Sequence, residues 1–247
     1  MYKVCINCGS AVTNDTGEAV SKLYDEKLYN KSKIIKLLQC SQCGRVCDKY
    51  LEYDGTLLLL DGALQSRPAL RHLLINSDYS AVIRKVSLLT LIVDGYCRSV
   101  QLIISDIQYL YFRWSRNSQQ KQFFEQEFEF YSRVAEALTS LAVFLAVSSF
   151  LMLSSSKLKL SVASLYHGLL LAYCTRFLLV VALLFTPTSS FLWTGVEIFF
   201  LLTSVSVSRI ITPKSHGHCL ALMTVAHLAR LATDNLGGLI NQTTLCD

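Results

Sequence analysis

The chain has 247 residues, 52% of them hydrophobic and only 17% charged, with a net charge of +5. So apolar a composition excludes an ordinary soluble domain and points to a membrane protein. The first 80 residues carry 10 Lys/Arg against 9 Asp/Glu and lack a basic stripe interleaved with stacking aromatics, so no nucleic-acid partner is expected.

The opening segment, "MYKVCINCGS", has neither the apolar core of a secretory signal nor the Arg-rich pattern of a transit peptide, so insertion is expected to rely on an internal segment. Of nine cysteines, five fall within the first 47 residues and four are scattered through the apolar remainder. That distribution is a poor match to a secreted disulfide scaffold, and the N-terminal head is expected to face the reducing cytosol.

"CINCG" (Cys5, Cys8) recurs as "CSQCG" (Cys40, Cys43) after 31 intervening residues. In each unit two thiols sit on a tight turn, and the glycine permits the backbone conformation that folds amides back toward sulfur. Two such turns supply four sulfurs, the closed shell of a structural zinc. A redox pair would use one CxxC ahead of a helix, and an iron–sulfur cluster also accepts four thiolates; the paired, glycine-followed units favour zinc. Cys47 is surplus to that shell and reads as packing, on a run 46–53 that alternates like a strand. Asn14, Asp15 and Gly17 mark a turn between the units, and "KIIKLL" suits a strand leading into the second.

Next comes "EYDGTLLLLDGALQSRPALRHLLIN". Residues 57–60 with Leu64 form an apolar patch, and Leu70, Leu73 and Leu74 share a helical face opposite Arg67 and Arg71. The pattern fits a helix lying in the membrane interface or one packed on the head. On the first reading Leu57, Leu60, Leu64, Arg67, Arg71, His72, Leu73 and Leu74 are the lipid contacts.

Three stretches are long and apolar enough to span a bilayer core of about 30 Å: 134–153, 160–185 and 189–211. Two more, 82–104 and 219–240, are interrupted by charge and either span, re-enter or lie along the surface. The polar, aromatic segment 113–133 reads as a loop or surface helix, with Trp114, Phe123 and Phe124 suited to the headgroup layer. Ionisable groups inside spans invite a functional reading. Asp94 and Arg98, four residues apart, neutralise each other; His167, Arg176 and Glu197 pair between helices or line a polar path. His216 and His218 lack further ligands nearby and read as an ordinary loop. Arg84 and Lys85 favour a cytosolic head. The sequons at Asn14 and Asn30 would then go unused, leaving only Asn241 as an acceptor if the tail were lumenal.

The expected fold class is therefore mixed: a small β-rich zinc-ribbon head (1–55), an interfacial amphipathic junction (56–80) and an α-helical multi-pass transmembrane bundle (81–247). The paired CxxC units, then "CDKYLEYD" and "LLLLDGALQSRPALRHLLIN", resemble the homology domain of the ARV family of eukaryotic endoplasmic-reticulum membrane proteins. "LLTLIVDGYCRS" and "CLALMTVAHLARL" resemble that family's membrane half. The resemblance implies a role in sterol movement and sphingolipid balance, with a link to glycosylphosphatidylinositol-anchor assembly. It matches the family's knuckle cysteines to Cys5, Cys8, Cys40 and Cys43, and its following block to Asp48, Lys49, Tyr50 and Glu52. Members usually carry a small apolar residue where this chain has Cys47.

Two functions follow as expectations. The first is a non-enzymatic endoplasmic-reticulum membrane protein that distributes sterols and sphingolipids, with structural zinc. The second is an accessory or scaffold subunit for anchor assembly or another lipid-synthesis enzyme complex, handling glycolipid intermediates. No nucleophile with an adjacent base and no phosphate-cradling glycine loop supports catalysis.

Overall fold

The structure, a computed structural model, describes residues 3–13, 20, 22–29, 32–53, 55–110, 119–155, 161–185 and 190–244. Asn14, Asp15, Gly17, Asn30 and Trp114 lie outside them. The chain divides into two compact units, Met1–Ala81 and Val82–Asp247. The first therefore joins the cysteine-rich head and the junction in one body.

In that unit β1 (Tyr24–Tyr29) pairs antiparallel with β2 (Ser32–Leu37), in register from Tyr24 opposite Leu37 to Tyr29 opposite Ser32. Isolated bridges, Val4 with Ala11 and Gln39 with Val46, close the flanks of the two CxxC turns. Residues 46–53, which alternate in polarity like a strand, instead form a 3-10 turn at Lys49–Leu51. Asp48 caps it, accepting from the Tyr50 N–H at 3.1 Å, and that local bond outcompetes an extended conformation. Helix α1 (Gly55–Ala63), helix α2 (Arg67–Arg71) and a π-turn (His72–Asn76) complete the unit. One small core gathers Cys5, Val12, Leu23, Cys40 and Cys47, and another Ile6, Tyr50, Leu58 and Ala69.

The second unit is helical among its described residues. Its elements are α3 (Ser80–Leu110, beginning in the first unit), α4 (Gln119–Ser155), α5 (Val162–Tyr173), a 3-10 turn (Cys174–Phe177), α6 (Leu178–Phe185), α7 (Ser190–Ile211) and α8 (His216–Thr244). Three described stretches are long and apolar enough to cross a membrane: Glu127–Ser154, Val162–Phe185 and Phe191–Ile211. They coincide with the three expected spans. The surface segment before the first of them is continuous with it, because α4 already starts at Gln119.

Helices α3 and α4 approach closely at Gly95, where an added Cβ would lie 2.6 Å from Val134 Cγ2 and 2.9 Å from its Cα. Gly95→Ala must push the helices apart and is expected to cost about 1–3 kcal/mol. Thermal unfolding in detergent checks this, and an unchanged midpoint would contradict the close approach.

Candidate functional site

The two CxxC turns are built alike. In the first, the Gly9 N–H donates to the Cys5 carbonyl at 2.8 Å and the Cys5 N–H to that of Ser10 at 2.9 Å. In the second, the Gly44 N–H donates to the Cys40 carbonyl at 2.8 Å and the Cys40 N–H to that of Arg45 at 2.8 Å. Gly9 and Gly44 hold φ of +80° and +69°, the left-handed region where a side chain is strained, which explains a glycine after each pair.

Facing each other, the turns bring the Sγ atoms of Cys5, Cys8, Cys40 and Cys43 within 4.8 Å of one another. Cys5 lies 3.7 Å from Cys43, and Cys8 3.7 Å from Cys40. For metal–sulfur bonds of about 2.3 Å a tetrahedral shell has edges of roughly 3.8 Å, so the four thiols fit a thiolate-binding cation. Ser10 Oγ adds a contact to Cys8 Sγ at 2.7 Å. Burial pushes the Cys5 thiol up to about 12. Burial also acts upward on Cys40, but the N–H groups of Cys43 and Gln42, with Ser10 and Cys8, hold it down at about 6. Uptake of a cation must therefore displace protons, and metal affinity is expected to fall as pH is lowered. Chelator competition at acid and alkaline pH measures it; a pH-independent affinity would exclude thiol ligation.

Cys47 stands apart from the four. It is wholly buried in the core beside them, and burial, reinforced by the neighbouring thiols, raises it to about 11.

The junction residues divide. Leu60 and Leu64 are 60% and 72% exposed, Leu59 is 76% exposed, and Arg67 faces solvent. Leu57 and Leu73 pack on the core around Ile6 and Tyr50, and Leu74 and His72 are buried. Arg71, expected beside Arg67 on the polar face, turns instead to the first CxxC unit and donates to the carbonyls of Ile6 and Asn7. The π-turn widens the helix so that His72 and Asn76 both reach Asp48. His72 Nδ1 lies 2.7 Å from its Oδ2, and Asn76 Nδ2 donates to the same oxygen at 2.7 Å. Asp48→Asn keeps the shape but opposes donors to donors, at an expected cost of about 2–3 kcal/mol in the head's unfolding free energy. Stability equal to wild type would show that the carboxylate charge is not needed there.

In the helical unit six side chains form a closed ring of alternating charge. Arg98 Nε lies 3.3 Å from Asp94 Oδ1, and Arg98 Nη1 2.8 Å from Asp234 Oδ1. Arg230 bonds Asp234 at 3.0 Å and also Glu197. Arg176 bonds Glu197 and returns to Asp94 at 2.9 Å. The Tyr173 hydroxyl donates to Asp94 at 3.2 Å. The 3-10 turn between α5 and α6 carries Arg176 into this ring, in line with the use of such turns where a helix is adapted locally. Below it Phe200 contacts Phe144, Tyr173 and His227, with the Arg176 and Arg230 Cζ atoms 6.0 and 5.6 Å from its ring centroid. Three cations and three anions cancel, and each carboxylate meets two guanidinium groups, which offsets the cost of burying them.

Asp94, Arg98, Arg176 and Glu197 thus come together. His167 does not join them; its Nε2 lies 3.1 Å from Arg84 Nη1. Asp234 and Arg230 complete the ring without having been singled out by sequence as its members. Their signal was the same four-residue spacing that marks Asp94 and Arg98.

A sequence profile of the Arv1-like family matches residues 4–208. Protein ARV1 of Bos taurus is 28% identical over 206 residues, covering 81% of this chain and 66% of the relative. Protein ARV1 of Candida albicans is 38% identical over 73 residues, 30% of this chain and 21% of the relative. The Protein arv1 homolog of Dictyostelium discoideum is 40% identical over 73 residues, 30% and 26% of the two chains. The aligned parts of these relatives thus amount to 21–66% of their own lengths. No solved structure matches. Both CxxC units and Asp94, Arg98, Arg176 and Glu197 of the ring lie inside the stretch the profile covers, and the chain belongs to the Arv1-like family.

Proposed function

We propose that this is a non-enzymatic multi-pass protein of the endoplasmic-reticulum membrane, with a cytosolic head, that distributes sterols and balances sphingolipids. Cys5, Cys8, Cys40 and Cys43 would hold a structural zinc, making the head a zinc ribbon. A zinc ion held by these four side chains would tie the two turns together and stabilise their thiolates, a structural and not a reactive contribution. The observation that carries the reading is the exposure of Leu59, Leu60 and Leu64 on a junction whose Leu57, Leu58, Ala69 and Leu73 pack into the head. Large apolar side chains held outward on a packed base, with Arg67 three residues after Leu64 for phosphates, suit contact with a lipid surface. Leu57, Arg71, His72, Leu73 and Leu74 support that base from within. A non-catalytic role is supported by the ring, whose carboxylates are all engaged by guanidinium groups. Arg84 and Lys85 at the start of α3 favour a cytosolic head.

Purified full-length protein reconstituted in liposomes tests the proposal. Accelerated sterol transfer, lost in Leu60→Asp/Leu64→Asp, supports it. Co-purification of a lipid-modifying enzyme complex, with no transfer by the protein alone, would replace it with the accessory-subunit reading.

A further inference from the structure

The two CxxC units are alike in backbone but not in surroundings. A Cβ on Gly44 would meet nothing within 4 Å, whereas one on Gly9 would lie 3.1 Å from Arg71 Cζ and 3.1 Å from its Nη2. The guanidinium lies across the first unit alone. Its Nη1 donates to the carbonyl oxygens of Ile6 at 2.8 Å and Asn7 at 2.7 Å, the two residues between Cys5 and Cys8.

Those carbonyls belong to the peptide groups whose other ends are the N–H of Asn7 and of Cys8, inside the turn closed by the Gly9 N–H on the Cys5 carbonyl. A peptide group is planar, so holding its oxygen orients its N–H. Arg71 thus fixes the two peptides that lie between the Cys5 and Cys8 thiols, and its charge polarises both in the sense that favours N–H donation to a neighbouring thiolate. Asn76 secures the same segment two residues before Ile6. Its Nδ2 donates to the Val4 carbonyl at 2.8 Å, and its Oδ1 accepts from the Val4 N–H at 3.0 Å.

We infer that Arg71 is a positioning residue of the metal centre, tying the first CxxC unit to helix α2. The inference rests on the four-cysteine metal reading and goes beyond it. Groups that orient metal ligands from outside the shell contribute about 10–100-fold in metal affinity. A four-thiolate shell around a divalent ion carries excess negative charge, so a cation fixed beside it also offsets that charge.

The test uses full-length protein in detergent, with zinc affinity read by competition with a chromophoric chelator and the shell read by the visible absorption of the cobalt(II) form. Arg71→Ala is expected to weaken zinc binding by about 10–100-fold and to shift the cobalt spectrum. Arg71→Lys, which keeps the charge but offers no planar fork, should fall between it and wild type. Arg67→Ala, on the exposed side, should bind as wild type does. Wild-type affinity and spectrum in Arg71→Ala overturn the inference. Should that variant fail to fold, Arg71→Lys decides: a several-fold loss supports the role and wild-type affinity overturns it. Failure of the wild-type chain to take up zinc or cobalt would instead overturn the metal reading, and this inference with it.

Discussion

Cys40→Ser is expected to abolish metal uptake and unfold the head while leaving the helical unit folded. Structural zinc sites contribute apparent binding free energies of about 10–16 kcal/mol that are in effect folding free energy. The head has little to set against such a loss: its two core clusters are small, and Cys5 and Cys40 belong to one of them. A serine hydroxyl is a poor ligand, and the remaining three thiols would be left crowded in a partly buried site. Metal analysis should show the ion gone, and limited proteolysis should cut within residues 1–81 while the helical fragment persists. Cys47→Ser is the control, since its side chain is buried in the same core but outside the four-thiol set; it should retain metal and lose only about 1–3 kcal/mol for burying a hydroxyl. A Cys40→Ser protein that keeps its metal and its protease resistance would refute the closed shell.

The second large effect belongs to Arg176. Arg176→Met removes the bonds to Asp94 and Glu197 together and leaves the ring with three anions against two cations. Breaking a buried ion pair by deleting one partner costs about 3–5 kcal/mol, because the remaining charge stays buried without compensation. The helical unit should therefore unfold at a markedly lower temperature in detergent. Removing Glu197 as well, as Arg176→Met/Glu197→Gln, restores neutrality and should recover part of the loss. The double variant is thus expected to be more stable than the sum of the two singles implies. Strict additivity would mean that the ring is a set of independent contacts, and an unchanged Arg176→Met would mean that it carries no stability.

Much of this architecture is legible in the amino-acid sequence. The twin CxxCG units announced the cysteine cluster because a four-thiol shell demands a fixed residue type, and a left-handed turn demands glycine after each pair. The apolar runs mark the three candidate spans because crossing hydrocarbon takes about 20 predominantly apolar residues, a requirement these runs meet even with Arg176 and Glu197 inside two of them. Residues 46–53 misled, since alternation of polarity does not register that an aspartate at their start can cap a turn. The junction is legible in sequence only as two alternatives, a helix in the interface or one packed on the head, because a helical wheel does not register the tertiary contacts that bring Leu57 and Leu73 to the core and Arg71 to the first CxxC unit.

What the sequence by itself determined, then, is chemistry that is local or repeated: which cysteines form the set, where glycine must stand, which segments are apolar enough to span. Only the tertiary structure decided partnerships between residues far apart in the chain. Arg71 serves Ile6 and Asn7, and Asp48 serves His72 and Asn76. Asp94 and Arg98, which neutralise each other on one helix, become two members of a ring with Arg176, Glu197, Arg230 and Asp234. The reason is physical: a charge or a hydrogen-bonding group states in sequence that it needs a partner, but packing alone selects which partner arrives.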